Sequence, residues 1–287
     1  MKKIKRILVG IDVFEKSDNV LKRALTIARE NEAELFIVHA VETPWLSLPS
    51  YFGSKELDVD IKGITKTIEK KLKALNRDKK IPYFIYVKED DADDLLLCAA
   101  KWSKADMMVL GVHSKTKSRK RFLGSIVQKV VHQSHIPVLV VKNNVTRAYK
   151  NIVAPTDFQI QSKESILFAK NVFPTLKINI VNAFQTVYAM EAPYATMGPE
   201  ISEYNNVALP STKKEMKKFI KEVSVEKGEV IDDELDSKAA LIKYLKKGSY
   251  DLVVVGSRGT SGFKALLGSV ATYILRETTS DVLIYVP

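Results

Sequence analysis

Two glycine-bearing segments hold the residue types that could grip an anionic ligand. The second reads Gly256-Ser257-Arg258-Gly259 and, after residues 260–267, Gly268-Ser269. The first reads Gly111-Val112-His113-Ser114 and, after residues 115–123, Gly124-Ser125. Glycines let a backbone approach phosphate oxygens and offer amide donors to them. A Gly-Ser pair opening a helix adds N-terminal amides and the positive end of the helix dipole. Arg258 adds a cation to the second loop. An aspartate stands upstream of each loop, Asp12 and Asp157, and a carboxylate there can accept hydrogen bonds from ribose hydroxyls or an amino group. Such a set makes a nucleotide the natural ligand. The bland alternative is that the glycines only make tight turns, that Ser269 only caps a helix, and that Asp12 only caps the turn after its strand.

The two sets are copies of one unit. Asp12 and Asp157 lie 145 residues apart, as do Gly111 and Gly256, whereas Gly124 and Gly268 lie 144 apart. Copy two has lost one residue between its glycine signals. A period this long means duplicated domains, not a solenoid. The boundary is placed at 145/146, with domains over 1–145 and 146–287. The polar linker 143–150 is short, which favours domains that pack together.

Each copy alternates strand and helix. In the first, strands are expected at 7–11, 35–38, 83–87, 107–110 and 138–141, with helices at 17–29, 64–75, 91–102 and 126–132. In the second, strands are expected at 152–154, 178–181, 229–231, 252–255 and 282–286, with helices at 163–170, 213–223, 238–245 and 270–275. Ile7-Leu8-Val9-Gly10-Ile11 and Leu252-Val253-Val254-Val255 show no polar alternation, as suits strands buried on both faces. The fold class is therefore α/β: two tandem open five-stranded parallel sheets, each Rossmann-like. In such sheets ligands bind beyond the carboxyl ends of the strands, where strand order reverses. Asp12 should there face Gly111, and Asp157 should face Gly256.

Two longer loops follow the second strand of each copy, 42–53 and 191–210, both carrying prolines and aromatics. They read as lids over the site or as disordered or domain-packing segments, and the sequence leaves that open.

Composition excludes several classes. One cysteine, Cys98, rules out a disulfide within the chain and a multi-cysteine metal site. Its setting, Leu95-Leu96-Leu97-Cys98-Ala99-Ala100, suggests a buried thiol. No apolar stretch reaches the ~18 residues of a spanning helix, so no membrane partner and a cytoplasmic location are expected. The net charge of +11 divides as +9 over residues 1–145 and +2 over the remainder. This asymmetry leaves nucleic acid open as a partner of the first half. The run Lys115–Arg121 could hold phosphates by side chain, bind another polyanion or simply be solvated. Of the four histidines, His39, His113, His132 and His135, none recurs in copy two. His132 and His135 read as a solvated helix end, and His113 as a surface loop residue. No Walker lysine or arginine finger is present, so at most slow ATP hydrolysis is expected.

These residues resemble the universal stress protein family in its tandem two-domain form, over the whole chain. The family pattern is Gly, two residues, Gly, nine residues, then Gly with Ser or Thr, together with an Asp near the end of the first strand. The resemblance implies ATP or a related adenine nucleotide as ligand, with Mg or Mn arriving only with it. It also implies a stress-response or regulatory role, and pairing of the two domains through their last strands as a pseudo-dimer. By that resemblance Asp157 meets the nucleoside, Gly256, Gly259, Gly268 and Ser269 meet phosphates, and Ala183 lines the adenine. The weaker counterparts in copy one are Asp12, Ala40, Gly111, Gly124 and Ser125. Copy two departs from the pattern by one missing residue, and Gly262 could absorb it. Copy one departs by Ser114 in place of a glycine. The second domain is thus the expected main site. The alternative is a nucleotide-independent scaffold or RNA-associated regulator using the basic first half. A homodimer of the tandem chain is open.

Overall fold

The structure is a computed structural model that describes residues 3–13, 18–42, 59–78, 80–112, 124–185, 198–233, 236–257 and 267–287. The chain divides into two compact units, Lys2–Ala148 and Tyr149–Pro287.

The first unit contains β1 (Arg6–Gly10), α1 (Asp18–Asn31), β2 (Glu34–Val41), α2 (Ile61–Leu75), β3 (Tyr83–Glu89), α3 (Ala92–Trp102), β4 (Met107–Gly111), α4 (Ser125–Gln133) and β5 (Val138–Val141). Its strands are all parallel in the order β3-β2-β1-β4-β5. The second unit contains β6 (Ile152–Pro155), α5 (Ile160–Val172), β7 (Ile178–Gln185), α6 (Gly198–Val223), β8 (Lys227–Asp233), α7 (Ser237–Lys247), β9 (Leu252–Gly256), α8 (Ser269–Glu277) and β10 (Asp281–Tyr285). Its order is β8-β7-β6-β9-β10, again all parallel. In each unit the chain winds outward in opposite directions from the central pair, β1/β4 or β6/β9. The switch point lies between those two strands, at their carboxyl ends.

The central strands are buried throughout, from Met107 to Leu110 and from Leu252 to Val255. That burial is why they read as unbroken apolar runs. The register at the opposite end of each switch pair is pinned by a duplicated device. Asp106 Oδ2 accepts from the backbone amides of Lys5 and Arg6 at 2.8 and 2.9 Å. Asp251 Oδ2 accepts from those of Lys150 and Asn151 at 2.8 and 3.0 Å. One carboxylate thus ties the entry of the fourth strand to the entry of the first in each unit.

The linker region is not uniformly exposed. Tyr149 is buried, stacks edge-on against Phe173 with ring centroids 5.5 Å apart, and donates its hydroxyl to the buried Asp281 carboxylate at 2.6 Å. A hydroxyl-to-carboxylate bond this short is charge-assisted. Tyr149→Phe keeps the ring contact and removes only the hydroxyl. It should lower unfolding free energy by about 1.5–3 kcal/mol in urea denaturation, the usual cost of losing a hydrogen bond to a buried charge.

The structure departs from the sequence reading at three places. Residues 198–210 are not loop: α6 starts at Gly198 and runs through Pro210. Pro199 sits in the first helical turn, where a missing amide costs nothing. Pro210 withholds one hydrogen bond from the interior, but the following turns bury Met216, Phe219 and Val223 and anchor the helix. Cys98 is exposed, not buried. The buried face of α3 is Leu95, Leu96, Ala99 and Ala100, and Cys98 falls outside that stripe. Several elements also run longer than their most apolar cores, notably β2 and β7, because their last residues are only half-buried.

Candidate functional site: a crevice at each switch point

At the carboxyl end of each switch pair lies a cavity, about 230 Å3 in the first unit and about 210 Å3 in the second.

In the second unit the floor is the end of β6, where side chains build a tight turn. The Thr156 hydroxyl accepts from the Phe158 amide at 2.9 Å and meets the Ser162 hydroxyl at 3.0 Å. Asp157 Oδ1 accepts from the Gln159 amide at 3.1 Å. These bonds hold Phe158 at a φ of 63° and aim the chain into α5. Asp157 therefore shapes the turn, the role the bland reading gave to its counterpart Asp12, and its exposed carboxylate also lines the cavity.

Across from it, β9 ends at Gly256, whose position allows no side chain. A Cβ there would stand 2.8 Å from the carbonyl oxygen of Gln161 in the first turn of α5. The glycine is required by this close approach. Ser257 follows, 1% exposed, and its hydroxyl has no hydrogen-bond partner among the described residues. Gly268 is the N-cap of α8 with an extended backbone and no side-chain cap. Ser269 is already inside the helix, so it does not act as the cap. It is exposed and stands outside the cavity lining, whereas Gly268, Val270 and Ala271 are in it. The amides of the first turn of α8 are left for a ligand or water.

Sequence reasoning missed the polar contributors Thr156, Gln161, Ser162, Asn182, Ser237, Lys238 and Ser257. Asn182 Nδ2 donates to the Thr156 carbonyl at 2.9 Å, bridging β7 to the β6 turn beside Ala183. In the first unit His39 plays the same part, with Nδ1 3.0 Å from the Ile11 carbonyl, so Nδ1 carries the proton. The strand registers equate Gly10 with Pro155 and Val38 with Val181, hence His39 with Asn182 and Ala40 with Ala183. That spacing is 143, not 145. Two residues lost before β7 are regained before α7, so the net offset at the glycines concealed the change. Lys238 lies in the first turn of α7, half-buried, and no carboxylate among the described residues pairs with it.

The first crevice differs in chemistry. Asp12, Ala40 and Gly111 line it as expected, but Gly124 and Ser125 do not, while Ile126 and Val127 do. Position by position, Ile11 replaces Thr156, Ala92 replaces Ser237 and Val112 replaces Ser257. Asp93 replaces Lys238 and is spent on Lys129 of α4 at 3.2 Å. The second crevice thus offers hydroxyls and an ammonium, whereas the first is lined by apolar side chains together with His39 and the carboxylates of Asp12 and Glu42, and Asp93 and Val112 stand outside its lining. Arg258, Gly259 and Gly262, the run Lys115–Arg121 with His113 and Ser114, and most of the loop 42–53 lie outside the described residues. So do residues 191–197 of the other loop. His132 and His135 are both exposed at the end of α4. Among the described residues no group of three His, Cys, Asp or Glu could hold a metal, and no helix is long and apolar enough to cross a membrane.

The model of the universal stress protein family matches this chain twice, over residues 3–142 and 148–286. The chain belongs to the universal stress protein family. A universal stress protein of Methanocaldococcus jannaschii is 31% identical over 140 residues, which is 48% of this chain and 82% of that protein. Two solved structures share the fold over the full length at 16% identity. One is a functionally unknown protein of Pseudomonas aeruginosa, with a TM-score of 0.74 over 98% of this chain and 92% of its own. The other is a universal stress protein of Archaeoglobus fulgidus, with a TM-score of 0.67 over 98% and 97%. Within this tandem universal stress protein both switch points hold a cavity, and the hydroxyls and the ammonium line the second.

Proposed function

We propose that this universal stress protein binds an adenine nucleotide, ATP or a close relative, in the crevice of its second domain, and acts as a ligand-dependent regulator. The observation that carries the reading is the meeting of Asp157, Gly256, the uncapped N-terminus of α8, and the Ser257 hydroxyl and Lys238 ammonium, neither of which has a partner among the described residues, around one cavity. The dipole and amides of α8 suit phosphate, Asp157 suits ribose hydroxyls, and the Ala183 end of β7 suits the flat face of a base. Arg258 and Gly259 would complete the phosphate side, and Ser269 would contribute its backbone amide in the first turn of α8. Magnesium or manganese would enter only with the nucleotide. The first-domain residues Asp12, Ala40 and Gly111 would serve a weaker or different ligand, with Gly124 and Ser125 outside the crevice lining.

Calorimetric titration with ATP, ADP and AMP tests this. One binding event per chain is expected, strengthened by the charge of the phosphates and weakened by Lys238→Ala. No heat and no protection against thermal unfolding at millimolar nucleotide would end the proposal.

A further inference from the structure

The duplication provides an internal reference for every surface position, and one patch stands out against it. In the first domain Phe84 and Trp102 are 50% and 47% exposed, with ring centroids 6.4 Å apart. Trp102 also meets Phe36 at 6.0 Å and Tyr86 at 5.5 Å, edge-on in each case. Strand register and helix position equate these residues with Asn179, Lys227, Glu229 and Lys247 of the second domain. All four equivalents are polar or charged. There the surface is finished with hydroxyls: Tyr250 donates to Tyr244, and Tyr244 donates to Glu229 at 3.0 Å. The fold therefore does not need aromatic residues at these four positions, and the second domain stacks Tyr244 on Tyr250 beside them instead. Four of them on one face, two half-exposed, mark an interaction surface.

The patch borders an edge strand. Among the described residues β3 pairs only with β2, so its outer amides and carbonyls are open to another strand. The equivalent edge, β8, reads Lys227-Gly228-Glu229-Val230-Ile231-Asp232-Asp233, and its glycine and charges discourage pairing. β3 reads Tyr83-Phe84-Ile85-Tyr86-Val87-Lys88-Glu89, has no glycine, and confines its charges to its last two residues.

We propose that a second copy of this chain docks here, β3 against β3 in antiparallel fashion, with the two-fold axis at Tyr86. In that register Tyr86 faces the partner's Tyr86, and Ile85 faces the partner's Val87. Phe84 faces the partner's Lys88, a cation beside an aromatic ring, and Tyr83 presents its hydroxyl to the partner's Glu89. Both charges of the strand find a complementary neighbour. A shift that brings the strands together about Lys88 or Glu89 would instead oppose like charges. Lys88 is free to turn, because its ion pair with Asp90 is solvent-exposed and such pairs contribute little. Trp102 then extends the contact from the strand onto α3 of both copies, and the patch becomes self-complementary, as a two-fold interface requires.

The test borrows the second domain's own residues. Phe84→Lys with Trp102→Lys installs what the duplicated unit carries at both positions, so the fold accommodates the change. Tyr86→Glu, the counterpart of Glu229, is the independent variant should the first fold poorly. Light scattering on the wild-type chain at tens of micromolar should give a mass about twice its 32.2 kDa, and either variant should give a single-chain mass. Cys98 is the chain's only cysteine and is exposed one turn before Trp102 on α3. A spin label there should report one inter-chain distance in the wild type and none in the variants. A wild type that stays monomeric, or a dimer that survives both variants, overturns the proposal. So does binding of labelled single-stranded RNA, read by fluorescence anisotropy, to a monomeric wild type that Tyr86→Glu abolishes, which would assign the patch to nucleic acid instead.

Discussion

Gly256→Val is expected to abolish nucleotide binding and to lower the stability of the second domain by about 1–3 kcal/mol, the range for forcing extra volume into a packed site. The first part follows from the ligand, because a branched side chain at the end of β9 fills space between Asp157 and the N-terminus of α8. The second follows from the protein alone. A Cβ at this position would meet the Gln161 carbonyl oxygen at 2.8 Å and its carbon at 3.0 Å, both backbone atoms of α5. Backbone cannot rotate away, so the first turn of α5 must shift. That turn carries Ser162, whose hydroxyl meets Thr156, and Thr156 and Asp157 together hold the turn after β6. The strain therefore reaches the carboxylate proposed to hold the ribose. Titration of the variant alongside a thermal melt checks both parts. Unchanged affinity would move the ligand out of the second crevice, and an unchanged melt would mean that α5 adapts without cost.

The close approach also shows what a sequence conveys about such a site. The aspartates and strand-end glycines were legible because they keep a constant offset and because strands buried on both faces read as continuous apolar runs. The crevice walls were not legible. Asn182 and His39 do the same work with different side chains, at a spacing disguised by compensating changes in loop length. Lys238 looks like any surface lysine until α7 is placed beside β7. Pro199 and Pro210 suggested a loop, since a proline's meaning depends on which helical turn it occupies. Cys98 was misjudged because an apolar run of six residues covers more than one full turn of helix, and only part of a turn faces the sheet. In each case the missing information was a neighbour distant in sequence.

The site's polarity leads to the second large effect, and it separates the two domains. Asp157→Ala should weaken nucleotide binding by about tenfold to a hundredfold, the equivalent of losing hydrogen bonds to a charged group worth about 1.5–3 kcal/mol. Stability should change much less. The Asp157 side chain is exposed, and within the protein the described bond it makes is to the Gln159 amide at 3.1 Å. Asp157→Asn distinguishes the two roles, because asparagine keeps an oxygen for the Gln159 amide and preserves the turn while giving up the charge. Its affinity should fall between those of the wild type and the alanine variant, with an unchanged melting temperature. Asp12→Ala supplies the comparison from the first crevice. There Ile11 and Ala92 take the places of Thr156 and Ser237, Glu42 adds a second carboxylate to Asp12, and Asp93, the counterpart of Lys238, pairs with Lys129 outside the lining. A phosphorylated ligand finds little in that crevice to offset its desolvation, so Asp12→Ala should leave calorimetric nucleotide affinity as it was. The reverse pattern, with Asp12→Ala abolishing binding and Asp157→Ala silent, would place the nucleotide in the first domain and leave the polar second crevice to another ligand.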